Sequence, residues 1–231
     1  MDSPYQILIT GSNRGIGLEL AKQYAQDGWN VLACCRDTQH ANALQAISKV
    51  HTNIRLMSLD VANFAQIDAL AMQLKDEKID VLINNAGIYP ESSLGDADTD
   101  DWIEAFKVNS IAPLKMATAF TVPIANSTLK KIATLSSKMG SMSDNSSGGS
   151  YIYRSSKTAV NMVMKSLSID LQPAGIAVVT LHPGWVLTDM GGSNALLDTQ
   201  TSVAGLRNVI ANLNMSNTGK FIAYDGKEIA W

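Results

Sequence analysis

Apolar residues in this chain form short β-type runs that alternate with longer stretches of helical periodicity. The β-type runs predict seven strands, near residues 5–10, 29–35, 53–58, 79–84, 130–136, 176–181 and 219–223. The stretches between them predict helices near 15–27, 38–50, 63–76, 99–125 with an interruption around Pro113, 151–172 and 201–213. Such alternation is typical of a parallel sheet covered by helices on both faces, and therefore predicts an α/β fold.

No internal repeat or linker divides the 231 residues, so we expect a single domain over residues 1–231. The Ser-, Gly- and Asn-rich stretch 141–150 lies between the fifth strand and a long helix, where a loop over a site is favoured over an interdomain linker. Segments 138–150 and 188–198 are both poor in large apolar anchors. They are predicted to be mobile substrate loops.

The charge pattern argues against polyanionic partners. The net charge is -3, charged residues make up 17% of the chain, and no basic block occurs, so we expect neither nucleic acid nor a membrane surface as a partner. The chain has no apolar run of transmembrane length, and its first residues lack the charged and apolar regions of a secretory signal. We therefore expect a cytoplasmic protein that acts on a small molecule.

Cysteine and histidine positions suggest packing rather than metal binding. Cys34 and Cys35 are adjacent in a strand pattern, so their side chains should point to opposite faces and are unsuited to a structural disulfide. No spacing of His, Cys, Asp and Glu suggests a metal site, and we expect none. His182 precedes Pro183 at a strand end, where a hydrogen-bonding role is favoured over acid–base chemistry.

A glycine-rich turn joins the first strand to the first helix. Residues 10–17 read Thr-Gly-Ser-Asn-Arg-Gly-Ile-Gly. Glycines at Gly11, Gly15 and Gly17 permit a tight turn and let N–H groups at the helix N-terminus approach a pyrophosphate. An ordinary strand-to-helix turn that happens to be glycine-rich is the alternative.

Amide side chains follow the fourth strand and interrupt the helical stretch after it. Residues 84–87 read Asn-Asn-Ala-Gly at a carboxyl strand end, where ligands of open α/β sheets bind. These amides could also cap a turn and fix the neighbouring backbone, and the two roles are compatible. Asn109 lies inside a helical stretch despite its low helix propensity, so it is a candidate site residue, with an exposed position as the alternative.

Tyr153 and Lys157 lie four residues apart on a predicted helix and therefore share one face. Side chains at this spacing have Cβ atoms about 5–6 Å apart. We expect the ammonium to stabilise the phenolate and so to lower the tyrosine pKa, which would make the phenol a proton donor for an oxygen that gains negative charge. Taken alone the spacing is weak evidence, since it arises by chance in roughly one such chain in three.

These motifs and their order resemble the short-chain dehydrogenase/reductase family in its short form, over nearly the entire chain. The matching residues are Thr10 to Gly17, Asn84 to Gly87, Asn109, Ser137, Tyr153 to Lys157 and Pro183 to Thr188. Within the family, segments 181–186, 188–192 and 225–231 look most like carbonyl reductases of the sniffer and C-factor type. The resemblance implies a doubly wound Rossmann domain with a seven-stranded parallel sheet in the order 3-2-1-4-5-6-7.

The resemblance also implies catalytic roles. Tyr153 would be the general acid in reduction, and Lys157 would lower its pKa and bind the nicotinamide ribose. Ser137 would hydrogen-bond the substrate carbonyl oxygen, and Asn109 would hold a backbone geometry and a water that relays protons to Lys157.

Ser136 competes with Ser137 for the serine role. Ser137 is preferred because it lies further past its strand and Gly140 follows it at the family's spacing. Sixteen positions separate Ser137 from Tyr153, more than in many members, so the substrate loop is longer than usual.

Cofactor choice depends on the end of the second strand. The position that carries an acid in NAD-selective enzymes aligns with Cys35, Arg36 follows it, and Arg14 lies in the glycine turn. Two guanidinium groups could bracket a 2′-phosphate, which predicts NADPH/NADP⁺; the alternative is that Asp37 binds the ribose. The implied cofactor-binding residues are Gly11, Ser12, Asn13, Arg14, Gly15, Ile16, Gly17, Arg36, Asp60, Val61, Asn85, Ala86, Gly87, Tyr153, Lys157, Pro183, Val186 and Thr188.

The sequence thus predicts an NADPH-dependent carbonyl reductase that converts a ketone or aldehyde to an alcohol. A non-catalytic NADP(H)-binding regulatory or signalling protein of the same fold is the alternative. An epimerase or dehydratase of the extended branch is disfavoured by the short chain and by the Gly-x-x-x-Gly-x-Gly spacing. By analogy with the family, helices near 101–125 and 151–172 are expected to form a homodimer interface.

Overall fold

The computed structural model describes residues 5–231. Its strands are β1 (Gln6–Thr10), β2 (Asn30–Cys35), β3 (Ile54–Ser58), β4 (Val81–Asn84), β5 (Lys131–Leu135), β6 (Ala177–His182) and β7 (Lys220–Ala223). Its α-helices are α1 (Gly15–Gln26), α2 (Asn42–Val50), α3 (Phe64–Gln73), α4 (Thr99–Phe106), α5 (Ala112–Ala119), α6 (Thr121–Ala125), α7 (Tyr151–Asp170) and α8 (Thr199–Asn212). A π-helical turn (Lys107–Ile111) joins α4 to α5, and 3₁₀ turns lie at Lys138–Gly140 and Gln172–Ala174.

The seven strands form one parallel sheet in the order β3-β2-β1-β4-β5-β6-β7. The predicted α/β class and strand order are confirmed. The strand order reverses next to β1, which pairs with β2 on one side and with β4 on the other. Ligands of such sheets bind at this switch point, beyond the carboxyl ends of the strands. The loops that follow β1 and β4 therefore border the expected ligand site.

Alternate residues of the strands enter two separate apolar cores. Ile7 and Ile9 pack with residues of α1, α2 and α8 on one face, whereas Leu8 packs with residues of α3, α5 and α7 on the other. Cys34 and Cys35 divide in the same way, and both are buried free thiols. The prediction that they point to opposite faces is therefore confirmed.

One helix boundary differs from the sequence-based expectation. Helix α2 begins at Asn42 rather than near residue 38, because Asp37 forms a turn with the N–H groups of Gln39 and His40. The helical stretch 99–125 is interrupted near Pro113, as predicted, by the π-helical turn directly before α5, and Pro113 itself lies in the first turn of α5. A second break lies at Phe120, between α5 and α6. Within residues 5–231, no helix is long and apolar enough to span a bilayer.

Candidate active site

The glycine turn between β1 and α1 is tightly closed. Gly11 and Gly15 have φ values of +69° and +53°, which favour glycine, and a Cβ on Gly17 would lie 2.1 Å from the carbonyl oxygen of Gly11. The N-cap residue of α1, Arg14, makes no capping bond with its side chain, whereas Asn63 caps α3. The first turn of α1 therefore offers N–H groups and the positive end of a helix dipole to an anion, which fits a pyrophosphate.

Side chains from β1 and from the loop after β4 hold this turn in place. The Thr10 hydroxyl oxygen accepts the N–H groups of Asn85 and Ala86, both at 3.0 Å, and the Asn85 side-chain amide donates to the carbonyl oxygens of Thr10 and Gly11. Ser12 is buried and donates its hydroxyl to Ile9. The Asn85 amide thus fixes the neighbouring backbone, which is one of the two roles expected for it. The Ser12 side chain points into the protein interior.

Asn109 lies in the π-helical turn and is only 1% exposed, so its alternative interpretation as an exposed residue is wrong. Its Oδ1 accepts the N–H of Ile88 at 2.9 Å, and its Nδ2 donates to the carbonyl oxygen of Ile88 at 2.9 Å and to the Ser156 hydroxyl at 3.0 Å. A Cβ on Gly87 would lie 3.2 Å from Asn109 Oδ1 and 3.5 Å from Lys157 Nζ. Gly87 therefore lies next to both polar side chains, and a larger residue at this position would crowd them.

Lys157 is a buried cation. Its Nζ donates to the carbonyl oxygen of Leu135 at 2.9 Å and lies 5.7 Å from the centre of the Tyr153 ring. Burial lowers the pKa of Lys157 to about 8, because the charged form loses hydration that one carbonyl replaces only in part.

Tyr153 is also buried, with 7% of its surface exposed. Burial raises the pKa of its phenol to about 12, and a hydrogen bond with Ser137 acts in the opposite direction. The expectation that Lys157 lowers this pKa is therefore not met in this structure. The reason is that the ammonium donates to Leu135, and loss of solvation of the phenolate is the dominant effect.

The two neighbouring serines differ in their surroundings. Ser136 is buried, and its hydroxyl donates to Asn161 Oδ1 at 2.6 Å, so it is engaged within the core. The Ser137 hydroxyl oxygen accepts the N–H of Met139 at 3.2 Å, and Ser137 lowers the pKa of the Tyr153 phenol, so it is the serine that acts on Tyr153. His182 Nδ1 accepts the N–H of Lys138 at 3.2 Å, and burial lowers the pKa of this imidazole to about 4. His182 is thus a neutral hydrogen-bond acceptor at the start of the 138–150 segment.

The two predicted phosphate-binding arginines lie in different environments. Arg36 follows β2 directly and is exposed. Arg14 Nη1 lies 2.6 Å from the Asp189 carboxylate, and both side chains are exposed. Asp37 is engaged in its own turn, since its Oδ2 lies 2.6 Å from His40 Nδ1, and hydrogen bonds from His40 hold the pKa of this carboxyl below its usual value.

The remaining predicted cofactor residues border the same edge of the sheet. Val61 is buried, and the carboxylate of Asp60 beside it accepts the N–H of Ala62 at 3.0 Å. A Cβ on Gly15 would meet the Thr188 methyl group at 3.2 Å, so the segment after β6 touches the glycine turn. Further positions are Asn13, exposed in the turn; Ile16, half-buried against the core; Pro183, whose carbonyl oxygen accepts the Ser202 hydroxyl; and Val186, buried.

Sequence reasoning missed Tyr89, whose ring centre lies 4.5 Å from that of Tyr153. The only available signal was its position two residues after Gly87. No group of three metal-binding side chains is found in the described part of the chain.

Comparisons with known proteins agree with this geometry. The family model described as short chain dehydrogenase matches residues 6–196. The C-signal of Myxococcus xanthus is 43% identical over 164 residues, covering 71% of this chain and 99% of that protein. The carbonyl reductase Sniffer of Drosophila melanogaster superposes with a TM-score of 0.92 at 36% identity, covering 99% of this chain and 100% of that one. An NADPH-bound carbonyl reductase from chicken fatty liver has a TM-score of 0.92 at 34% identity, covering 99% of both chains.

Proposed function

The chain belongs to the short-chain dehydrogenase family, and from this premise we propose that it is an NADPH-dependent carbonyl reductase that converts a ketone or aldehyde to an alcohol. The observation that carries the proposal is the buried Tyr153 phenol, whose pKa Ser137 lowers and whose ring centre lies 5.7 Å from the Lys157 ammonium. A protein that only binds a nucleotide has no use for a proton donor in this position. The carbonyl reductases among the similar structures support the same reaction.

In this proposal the bound cofactor supplies a hydride to the carbonyl carbon, and the protein supplies the proton. The Ser137 hydroxyl donates a hydrogen bond to the carbonyl oxygen and polarises it. Tyr153 then gives its phenolic proton to that oxygen as negative charge develops. With a pKa of about 12, the phenol is fully protonated near neutral pH and is ready to act as an acid in the direction of reduction. Lys157 places a positive charge 5.7 Å from the centre of the Tyr153 ring, and Asn109 fixes the backbone of Ile88.

The edge of the sheet has groups that suit NADPH. The uncapped N-terminus of α1 fits the pyrophosphate, and the exposed guanidinium of Arg36 fits the 2′-phosphate. Asp37 is a poor candidate for the ribose hydroxyls of NADH, because its carboxylate is already bonded to His40 and Gln39. The NADPH bound to the chicken reductase is consistent with this choice.

The decisive experiment follows the consumption of NADPH by its absorbance with a panel of quinones, diketones and aromatic aldehydes. We expect turnover of at least one compound, and its loss in Tyr153→Phe. Binding of NADPH with no turnover of any panel member would contradict the proposal.

The second candidate is a non-catalytic NADP(H)-binding regulatory or signalling protein. The 43% identity to a protein named C-signal favours it. The two candidates differ in turnover: a binding-only protein would bind NADPH, but neither its wild type nor Tyr153→Phe would oxidise NADPH in the presence of a carbonyl compound.

A further inference from the structure

Tyr89 lies against the proposed proton donor. Its ring centre is 4.5 Å from that of Tyr153, with 55° between the ring planes, which is a favourable tilted aromatic contact. The Tyr89 hydroxyl lies 2.9 Å from the hydroxyl of Ser150, the last residue of the 138–150 segment. Tyr89 remains 36% exposed, so part of its ring is open to a ligand. It thus stands between the phenol and the predicted substrate loop.

The segment around Tyr89 also caps the helix that carries Tyr153. Helix α7 has no capping bond from its own N-cap residue, Ser150, which adopts a left-handed conformation with φ of 47°. Ser92 replaces that cap from a distant part of the chain: its hydroxyl oxygen accepts the N–H of Ile152, and its carbonyl oxygen accepts the N–H of Ser150, both at 3.0 Å. These bonds stabilise an N-terminus that would otherwise leave donors unsatisfied.

The backbone before Tyr89 is fixed from the opposite side. Asn109 bonds both the N–H and the carbonyl oxygen of Ile88, each at 2.9 Å. A side chain that satisfies both groups of one residue leaves that residue little rotational freedom. Asn109 therefore fixes the backbone that orients the Tyr89 side chain. Contacts with Tyr153 and Ser150 then fix the position of the Tyr89 ring.

We propose that Tyr89 is a positioning and specificity-determining residue of the carbonyl site: it holds the Tyr153 ring in place and offers its exposed face to the substituent of the substrate. This inference rests on the proposed reductase function. A planar aromatic substituent stacks on such a face, whereas a puckered saturated ring of the same size contacts it less closely. The site should therefore favour carbonyl groups that carry a flat aromatic substituent.

The test compares benzaldehyde with cyclohexanecarbaldehyde, which differ in the planarity of the ring, at saturating NADPH. We expect Tyr89→Leu to lower the aromatic-to-saturated ratio of kcat/KM by about 2- to 10-fold, mainly through KM for benzaldehyde. It should also lower kcat for both aldehydes, because Tyr153 loses its neighbour. Tyr89→Phe keeps the ring and should retain the ratio within twofold of the wild type, while losing only the bond to Ser150.

A matched control is Tyr151→Leu, since Tyr151 lies in the first turn of α7 and is about as exposed as Tyr89. It should leave the aromatic-to-saturated ratio of kcat/KM unchanged.

The inference is wrong, while the reductase function stands, if Tyr89→Leu reduces both aldehydes with the ratio and kcat of the wild type. It is also wrong if Tyr151→Leu changes the ratio and kcat as much as Tyr89→Leu does. If the wild type reduces neither these aldehydes nor any member of the panel, the proposed function itself fails. Should Tyr89→Leu not fold, a changed ratio in Tyr89→Phe would by itself overturn the role assigned to the ring.

Discussion

Arg14 and Asp189 form an ion pair at 2.6 Å that connects the glycine turn after β1 to the segment after β6. Both side chains are exposed, so the pair contributes only about 0–1 kcal/mol and can open readily. A 2′-phosphate on the cofactor would compete with Asp189 for the guanidinium. The pair is thus suited to hold the 188–198 segment lightly in the absence of a ligand.

We expect segments 138–150 and 188–198 to exchange amide hydrogens faster than the strands, and to become protected when NADPH is added. Asp189→Asn should increase exchange in 188–198 by no more than about fivefold, the limit set by a surface ion pair. Glu228→Gln removes an exposed pair with Lys220 and is the control, with no expected effect on 188–198. Strand-like protection of both segments, unchanged by NADPH, would count against mobile loops.

Tyr153→Phe should keep the fold and the affinity for NADPH and lower kcat by about 10²–10⁴, the usual contribution of a positioned general acid. The phenylalanine ring preserves the contacts with Tyr89 and removes only the proton. Steady-state kinetics and NADPH titration test this, with Tyr151→Phe as a control in the same helix. Turnover within threefold of the wild type would show that Tyr153 is not the acid.

Lys157→Met should inactivate the protein and yet stabilise it near neutral pH. The folded pKa of about 8 lies below the ordinary value of 10.5, so the unfolded chain binds this proton more tightly. Burial of the charged Lys157 therefore lowers the free energy of unfolding below pH 8. This loss of stability disappears as the pH rises towards 10.5. Allowing for the lost bond to Leu135, we expect a gain of about 2 kcal/mol at pH 7.

Urea unfolding at pH 7 and pH 9.5 measures this difference. The stability gap between Lys157→Met and the wild type should narrow at the higher pH. Lys165→Met, further along α7, is the control and should show no such narrowing. A gap that is the same at both pH values would mean that Lys157 is not buried as a cation.

Arg36→Ala should weaken NADPH and leave NADH nearly unchanged. The wild type should prefer NADPH by more than tenfold in kcat/KM, because a charge-assisted bond to phosphate contributes about 1.5–3 kcal/mol. The effect should appear in the cofactor KM, since the 2′-phosphate is remote from the hydride and interacts equally in ground and transition states. Added salt should narrow the preference.

Arg55→Ala, an arginine of β3 that pairs with Glu77, is the matched control for Arg36→Ala. Equal efficiency of the wild type with NADPH and NADH would show that an acid such as Asp37 occupies the ribose site.

The outer faces of α4 to α7 carry exposed apolar side chains, among them Ile103, Leu114, Met162 and Ile169. We expect these faces to pack against a second copy of the chain, since burial of apolar surface favours association. Light scattering at micromolar concentration should give about twice the 24.8 kDa of one chain. Met162→Glu should shift the species towards the monomer, and a wild type that scatters as a monomer would exclude the dimer.

The sequence predicted the sheet well because the strands have a strong local signal. Runs such as β1 and β2 are apolar on both faces, and the glycines after β1 mark its end. The roles of Asn109 and Tyr89 were harder to predict, because both depend on contacts with residues far away in the chain. The pKa of Tyr153 was predicted in the wrong direction, because helical spacing says that Lys157 is near but not that the phenol is buried or that the ammonium donates to Leu135.

Because α4 and α5 are joined by a π-helical turn, the number of residues between them matters as well as the residue types. A π-helical turn contains one residue more than an α-helical turn, and such turns often occur at functional sites. Deleting one residue from Lys107–Ile111 would restore a regular α-helix and leave α4 and α5 in the same register, because the extra residue is absorbed within the turn. The residues of the turn itself would be displaced, so that Asn109 would lose its two bonds to the backbone of Ile88. Insertions and deletions in this stretch should therefore be more damaging than most single substitutions.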